Sequence, residues 1–305
     1  MSHRLQMLQV ARLARRTLGE STDLVVSFLE SLSAPSGGFC NRAGRPDLYY
    51  TSFALDALVA VDTLGAAATG DERAERTQAY LHSFGDGSAL DLVHRCCLAR
   101  AWASQPPAAC PAEQQAAMRV GVMRHLAADG GYNSRAGAAQ GTAYGCFLAM
   151  NACADLRLPL QESGTDADRL ADCIATLRTA DGGWSNSPGR PEGSTTATAA
   201  AIAVLRTLGR PVPGAAADWL LARRHPAGGF TAAPDAPLPD LLSTAVALHA
   251  LDALEAPWRE YRESMLDFID TLWTAEGAFH GSWADDQPDV EYTLYGLVAL
   301  GHCSV

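Results

Sequence analysis

Two short segments of this 305-residue chain hold the side chains best suited to chemistry. Near the C-terminus, Asp289-Val290-Glu291-Tyr292-Thr293 sets two carboxyls and a phenol within about one helical turn, a grouping that can give and take protons. Asp91, His94, Cys96 and Cys97 are ligand types for a metal. Positions i, i+3 and i+5 do not share one clean helix face, however, which disfavours a metal held by Asp91, His94 and Cys96. Aromatics gather where helices are expected to begin or glycine turns to lie, at Tyr49, Tyr50, Phe53, Tyr144, Trp184, Tyr292 and Tyr295. All 23 basic residues are arginine. Schiff-base chemistry, a lysine base and a phosphate-loop lysine are therefore excluded.

The elements that must position these residues come from an internal repeat. A glycine pair and an aromatic recur at Gly37-Gly38-Phe39, Gly130-Gly131-Tyr132, Gly182-Gly183-Trp184 and Gly228-Gly229-Phe230, with a degenerate copy at Gly277-Ala278-Phe279. From Tyr132 onward the aromatics lie 52, 46 and 49 residues apart. Gly85-Asp86-Gly87 falls midway in the gap between Phe39 and Tyr132, which gives six units in all. After each glycine turn comes a polar opening and then an alanine- and leucine-rich run. The openings begin at Asp47, Asp91, Asp240 and Asp289, and lie near 139–143 and 191–195 where the aspartate is missing. Aspartate is a good N-cap and suits the positive end of a helix dipole, so its recurrence fits capping. Glu291 and Tyr292 depart from the pattern of the other openings, which marks them as functional candidates.

Leu55, Leu58 and Val59 share a helical face, and Met265, Phe268, Ile269 and Leu272 form a stripe ahead of Gly277. Two helices per unit, six times over, predict an all-α array that closes naturally into a ring. A net charge of −11 gives no footprint for nucleic acid or an anionic membrane surface. No apolar run approaches about 18 residues, so no membrane span is expected. Eight scattered cysteines without a C-x-x-C pair read as buried thiols, and a cytoplasmic location is expected.

The glycine–aromatic turn, the loops Gly44-Arg45-Pro46-Asp47 and Gly189-Arg190-Pro191, and the Asp-x-x-x-Thr openings resemble the repeats of protein prenyltransferase β subunits and of squalene and class II terpene cyclases. The resemblance implies an α/α toroid over residues 31–305, preceded by an N-terminal helical segment at 1–30, with inner helices around a central funnel. It implies an isoprenoid or other hydrophobic small molecule as the bound partner, and allows a helical partner subunit. The zinc ligands of the prenyltransferases are not matched: Asp240 is followed by Leu242 and then Tyr292 where Cys and His would stand. One unit earlier the positions hold Pro191, Gly193 and Ser243. No zinc cofactor is therefore expected, while Mg2+ remains open.

Alignment with the Asp-x-Asp-Asp-Thr motif of class II cyclases puts Glu291 at the acid position, where a carboxyl kept neutral in a dry cavity would protonate an alkene. The expected catalytic residues are thus Glu291, Asp289 and Tyr292. The expected substrate-binding residues are Tyr50, His94, Tyr144, Arg190, Asp240 and Tyr295, with Arg190 a candidate for holding a diphosphate. The leading expectation is an isoprenoid enzyme without the usual zinc. Alongside it stand a proton-initiated cyclase using Glu291 and a non-catalytic toroid that binds a protein or lipid.

Overall fold

A helix begins where a side chain satisfies its free N–H groups, and here the recurring aspartates do so. In the computed structural model, which describes residues 2–61, 72–159, 162 and 164–305, Asp47, Asp91, Asp240 and Asp289 each accept a hydrogen bond from an N–H in the first turn of the following helix. Thr142 and Ser194 do the same in the two units that lack the aspartate. Substituting such caps costs about 1 kcal/mol each.

The chain starts with α1 (His3–Leu13) and a single turn, α2 (Arg15–Leu18). Six outer–inner pairs follow. They are α3 (Thr22–Ser31) with α4 (Leu48–Ala60), α5 (Glu72–His82) with α6 (Leu92–Ala103), and α7 (Ala112–Met123) with α8 (Ala143–Asp155). Then come α9 (Ala167–Thr176) with α10 (Thr195–Thr207), α11 (Ala215–Leu221) with α12 (Leu241–Ala253), and α13 (Arg262–Asp270) with α14 (Val290–Cys303). Each inner helix packs on the next, and α14 packs on α4, so the ring closes as an α/α toroid. No helix among the described residues is long and apolar enough to cross a membrane.

The glycine turn also has a physical origin. Gly37 and Gly228 have positive φ, and a Cβ there would lie 2.0 Å from the Arg76 carbonyl oxygen and 1.9 Å from that of Ser264. These glycines let the next unit's outer helix pack directly on the turn. The aromatic that follows is driven between the helical layers: Phe39, Tyr132, Trp184, Phe230 and Phe279 are all essentially inaccessible. Its N–H is taken by the threonine of the opening, as in Phe39 to Thr51 (2.9 Å), Trp184 to Thr198 (3.0 Å) and Phe230 to Thr244 (2.9 Å). The Asp-x-x-x-Thr signature thus caps one helix and fastens the turn to it.

The division at residue 30 falls within α3, whose Leu24 backbone lies against Gly277 of the last unit and so supplies the outer layer there. The segment that stands apart from the repeats is α1. It packs on α4 and α14, and Gly301 permits that approach, since a Cβ there would meet the Val10 carbonyl oxygen at 2.0 Å. Arg4 of α1 is bound to Asp56, which also accepts from Arg100 at 2.5 Å, and all three lie at the C-terminal end of the inner helices. This latch seats α1 across one end of the ring.

Candidate functional site

The centre of the toroid holds a cavity of about 710 Å3. It runs along α10 from Thr196 to Thr207, eleven residues or about 16 Å of helix. Its walls combine small apolar side chains, Ala199, Ala200, Ile202, Ala203 and Val246, with polar ones, Asn186, Arg206 and His249, and α1 contributes His3, Gln6 and Met7. A smaller compartment of about 130 Å3 adjoins it. His3, Met7, Tyr49, Tyr144, Phe147 and Tyr295 line both. The aromatics brace one another, Tyr49 on Phe53 at 4.8 Å between centroids, Phe53 on Tyr295 at 5.7 Å, and His3 edge-on to Phe147 at 4.9 Å.

Glu291, in the first turn of α14, is a carboxyl on the wall of the larger compartment. The Tyr49 hydroxyl donates to its Oε1 at 2.7 Å. Burial raises the Glu291 pKa above the ordinary carboxyl range and outweighs the Tyr49 hydrogen bond, which acts the other way. Burial also raises the phenol pKa values of Tyr49 and Tyr295, and brings that of Tyr144 to about 12, so these rings stay neutral.

The smaller compartment holds the Arg4–Asp56–Arg100 latch and one further carboxyl, Asp155. Burial works to raise the Asp56 pKa, but the charges and hydrogen bonds of Arg100 and Arg4 reverse this and hold it low. Asp155 makes no hydrogen bond among the described residues, and desolvation raises its pKa from 3.8 to about 7. Cys96 and Cys97 line the same compartment as buried thiols, their pKa values raised by desolvation.

Of the residues expected from sequence, Glu291, Tyr144 and Tyr295 lie on the cavity wall. Asp289 lies beneath it as the α14 cap, with its other oxygen on Arg42 at 2.7 Å, so its charge is committed to structure. Tyr50 donates to that same oxygen at 3.3 Å and is a neighbour of the site. Tyr292 turns away, under the Arg42 guanidinium (5.6 Å) and against Gly281. The other three are also off the wall. Asp240 caps α12, Arg190 stands exposed in its loop, and His94 bonds back to Asp91 at 2.9 Å. The reason is common to several of them: a residue that starts a helix is drawn to the backbone groups there.

Sequence reasoning missed His3, Asn186, Arg206, His249 and Asp155. One signal was available on α14. Glu291, Tyr295, Val298 and His302 stand at i, i+4, i+7 and i+11, within about 40° of one line down the helix. For His3, no local pattern says where α1 docks.

Asp240, Leu242 and Tyr292 provide one carboxylate and no thiolate or imidazole, which does not fit catalytic zinc. Among the described residues no three His, Cys, Asp or Glu side chains come together as metal ligands.

The family model of the prenyltransferase alpha-alpha toroid domain matches residues 2–88, 112–230 and 212–303. No curated protein matches the sequence significantly. Among solved structures, the type II terpene cyclase MstE from Scytonema superposes with a TM-score of 0.62, at 15% identity, over 95% of this chain and 98% of that one. An MstE variant in complex with geranylgeranyl dihydroxybenzoate, its substrate, gives 0.60 at 15% identity over 95% and 97%. A protein from Actinoplanes gives 0.54 at 14% identity over 93% and 98%. Likeness at these identities establishes the common fold.

Proposed function

Because the chain belongs to the prenyltransferase alpha-alpha toroid family, we propose that it is an isoprenoid enzyme of the proton-initiated kind, in which Glu291 protonates a polyprenyl chain held in the central cavity. The observation that carries this reading is Glu291 itself. It is a carboxyl with a raised pKa on the cavity wall, hydrogen-bonded to Tyr49 and sharing that wall with Tyr144 and Tyr295. That is the environment a carboxylic acid needs to give its proton to an alkene. A volume of about 710 Å3 lies within the usual range for a small-molecule site, about 300–1,000 Å3. MstE, which has the same fold, takes a geranylgeranyl-bearing substrate.

In this reading the distal alkene lies at Glu291. The acidic O–H bond breaks, the alkene π electrons take the proton, and the cation formed is met by the faces of Tyr49, Tyr144 and Tyr295. The Tyr49 hydroxyl stays hydrogen-bonded to the carboxylate and orients it for the next proton. At the other end of the cavity Arg206, which has no ion pair among the described residues, faces a carboxylate or phosphate head group. Arg206 thus replaces Arg190 as the head-group contact. The failed donor set at Asp240, Leu242 and Tyr292 supports zinc-free chemistry over a zinc-dependent transferase.

The test is incubation of the purified protein with farnesyl and geranylgeranyl diphosphates and the corresponding acids, with and without EDTA. A cyclised isomer is expected in both conditions. Glu291→Gln should lower turnover by about 10²–10⁴-fold, the usual worth of a general acid, at unchanged melting temperature. Full activity in Glu291→Gln would sink the acid assignment.

A further inference from the structure

A cation made at one end of the cavity must lose a proton elsewhere, and a polar chain with no part in the acid step leads out of it. His249 of α12 lines the cavity. Its Nδ1 lies 3.2 Å from Nε2 of His302 on α14, and Nδ1 of His302 lies 2.5 Å from Oδ2 of Asp252. The other Asp252 oxygen accepts from Trp258 Nε1 and Arg259 Nη1, both at 2.7 Å. His302 is 1% exposed and Asp252 22%, so the chain passes from the cavity through the wall to solvent.

With a neutral imidazole at His302, the hydrogen-bond pairing fixes the tautomers. Ionised Asp252 needs a donor, so His302 carries its proton on Nδ1 and presents a bare Nε2. His249 must then donate from Nδ1, which leaves its own Nε2 as a lone pair with no partner among the described residues. Burial works to raise the Asp252 pKa, but the hydrogen bonds from His302, Trp258 and Arg259 bring it to about 2. Burial likewise lowers the His249 pKa, keeping it neutral. His3, edge-on to His249 at 4.8 Å, has its pKa lowered to about 4, chiefly by burial, and does not compete as a cation.

We infer that His249 is the base that ends the reaction and that His302 and Asp252 relay its proton out of the cavity. The inference rests on the proton-initiated reading above. A C–H bond beside the last cation breaks, its electron pair becomes the new C=C, and the proton goes to His249 Nε2. The His249 Nδ1 proton passes to His302 Nε2, and that of His302 Nδ1 to Asp252 Oδ2, which exchanges with water. On α14, Glu291 and His302 are eleven residues apart, about 16 Å on one face, so proton delivery and proton exit occupy opposite ends of the cavity.

Asp252→Asn tests the chain with little change of shape. Trp258 and Arg259 hold the amide oxygen, so the amide NH2 faces His302 Nδ1 and reverses both tautomers. His249 Nε2 then carries hydrogen and can no longer accept. In the full-length protein, NMR of isotope-labelled histidines should show a bare His249 Nε2 in wild type and a protonated one in Asp252→Asn. With farnesyl and geranylgeranyl substrates, Asp252→Asn and His249→Gln should still consume substrate, since Glu291 is untouched. The share of the wild-type olefin should fall about tenfold or more in favour of other isomers and water-quenched alcohols. A protonated His249 Nε2 in wild type overturns the relay, and so does an unchanged product from both variants of an active enzyme. A wild-type protein that consumes neither substrate refutes the parent reading and the base role with it.

Discussion

Asp155→Asn isolates one buried carboxyl from the rest of the protein. Asp155 lines the smaller compartment, makes no hydrogen bond among the described residues, and is desolvated to a pKa of about 7 against an ordinary 3.8. The difference, at 1.36 kcal/mol per pH unit, amounts to about 4 kcal/mol. The sign follows from proton counts. Below pH 3.8 both folded and unfolded Asp155 are protonated and the group contributes nothing. Between 3.8 and about 7 the unfolded chain has released a proton that the folded protein keeps, so stability falls as pH rises. Above 7 both are ionised and the full penalty stands. Asparagine has the same shape and no charge to desolvate. Urea unfolding at pH 8 should find Asp155→Asn more stable by up to about 4 kcal/mol, and at pH 4 by less than about 1 kcal/mol. Equal effects at the two pH values, or a loss at pH 8, would refute the assignment of Asp155 as a carboxyl destabilised by desolvation.

Asp56→Ala leaves Arg4 and Arg100 buried without their counter-charge, and should cost about 3–5 kcal/mol in urea unfolding at neutral pH. Because the folded Asp56 pKa is depressed, its contribution in wild type is present above the unfolded pKa and fades as pH falls through the folded one. Arg206→Gln should raise KM about 10–100-fold for a polyprenyl substrate with an anionic head, leaving kcat and the KM of a polyprenyl alcohol nearly unchanged. An equal rise for the alcohol would remove Arg206 from the head-group role.

The repeat was legible residue by residue because its constraints are local. Gly228 must be glycine where a Cβ would strike the Ser264 carbonyl, Asp240 must cap α12, and Thr244 must take the Phe230 N–H. The same locality misdirected part of the site. Asp240, His94 and Tyr292 stood out because they sit at helix starts, yet two of them bond to groups at those starts and Tyr292 packs on Gly281. Glu291 differs because it lies one residue before the position held by Tyr292 on α14 and by His94 on α6, where its side chain reaches the cavity.

By itself the sequence determined the six helical hairpins and the positions of their turns and caps, since each follows from neighbours along the chain. Only the tertiary structure decided that α1 seats on the ring through Arg4 and Asp56, which places His3 in the cavity wall. Tertiary packing also decided that Asp155 has no hydrogen-bond partner among the described residues, and that His249, His302 and Asp252 from two helices form one hydrogen-bonded line. The physical reason is that closing the ring and seating α1 on it bring together side chains as much as 287 residues apart, and no local pattern records which of them will meet.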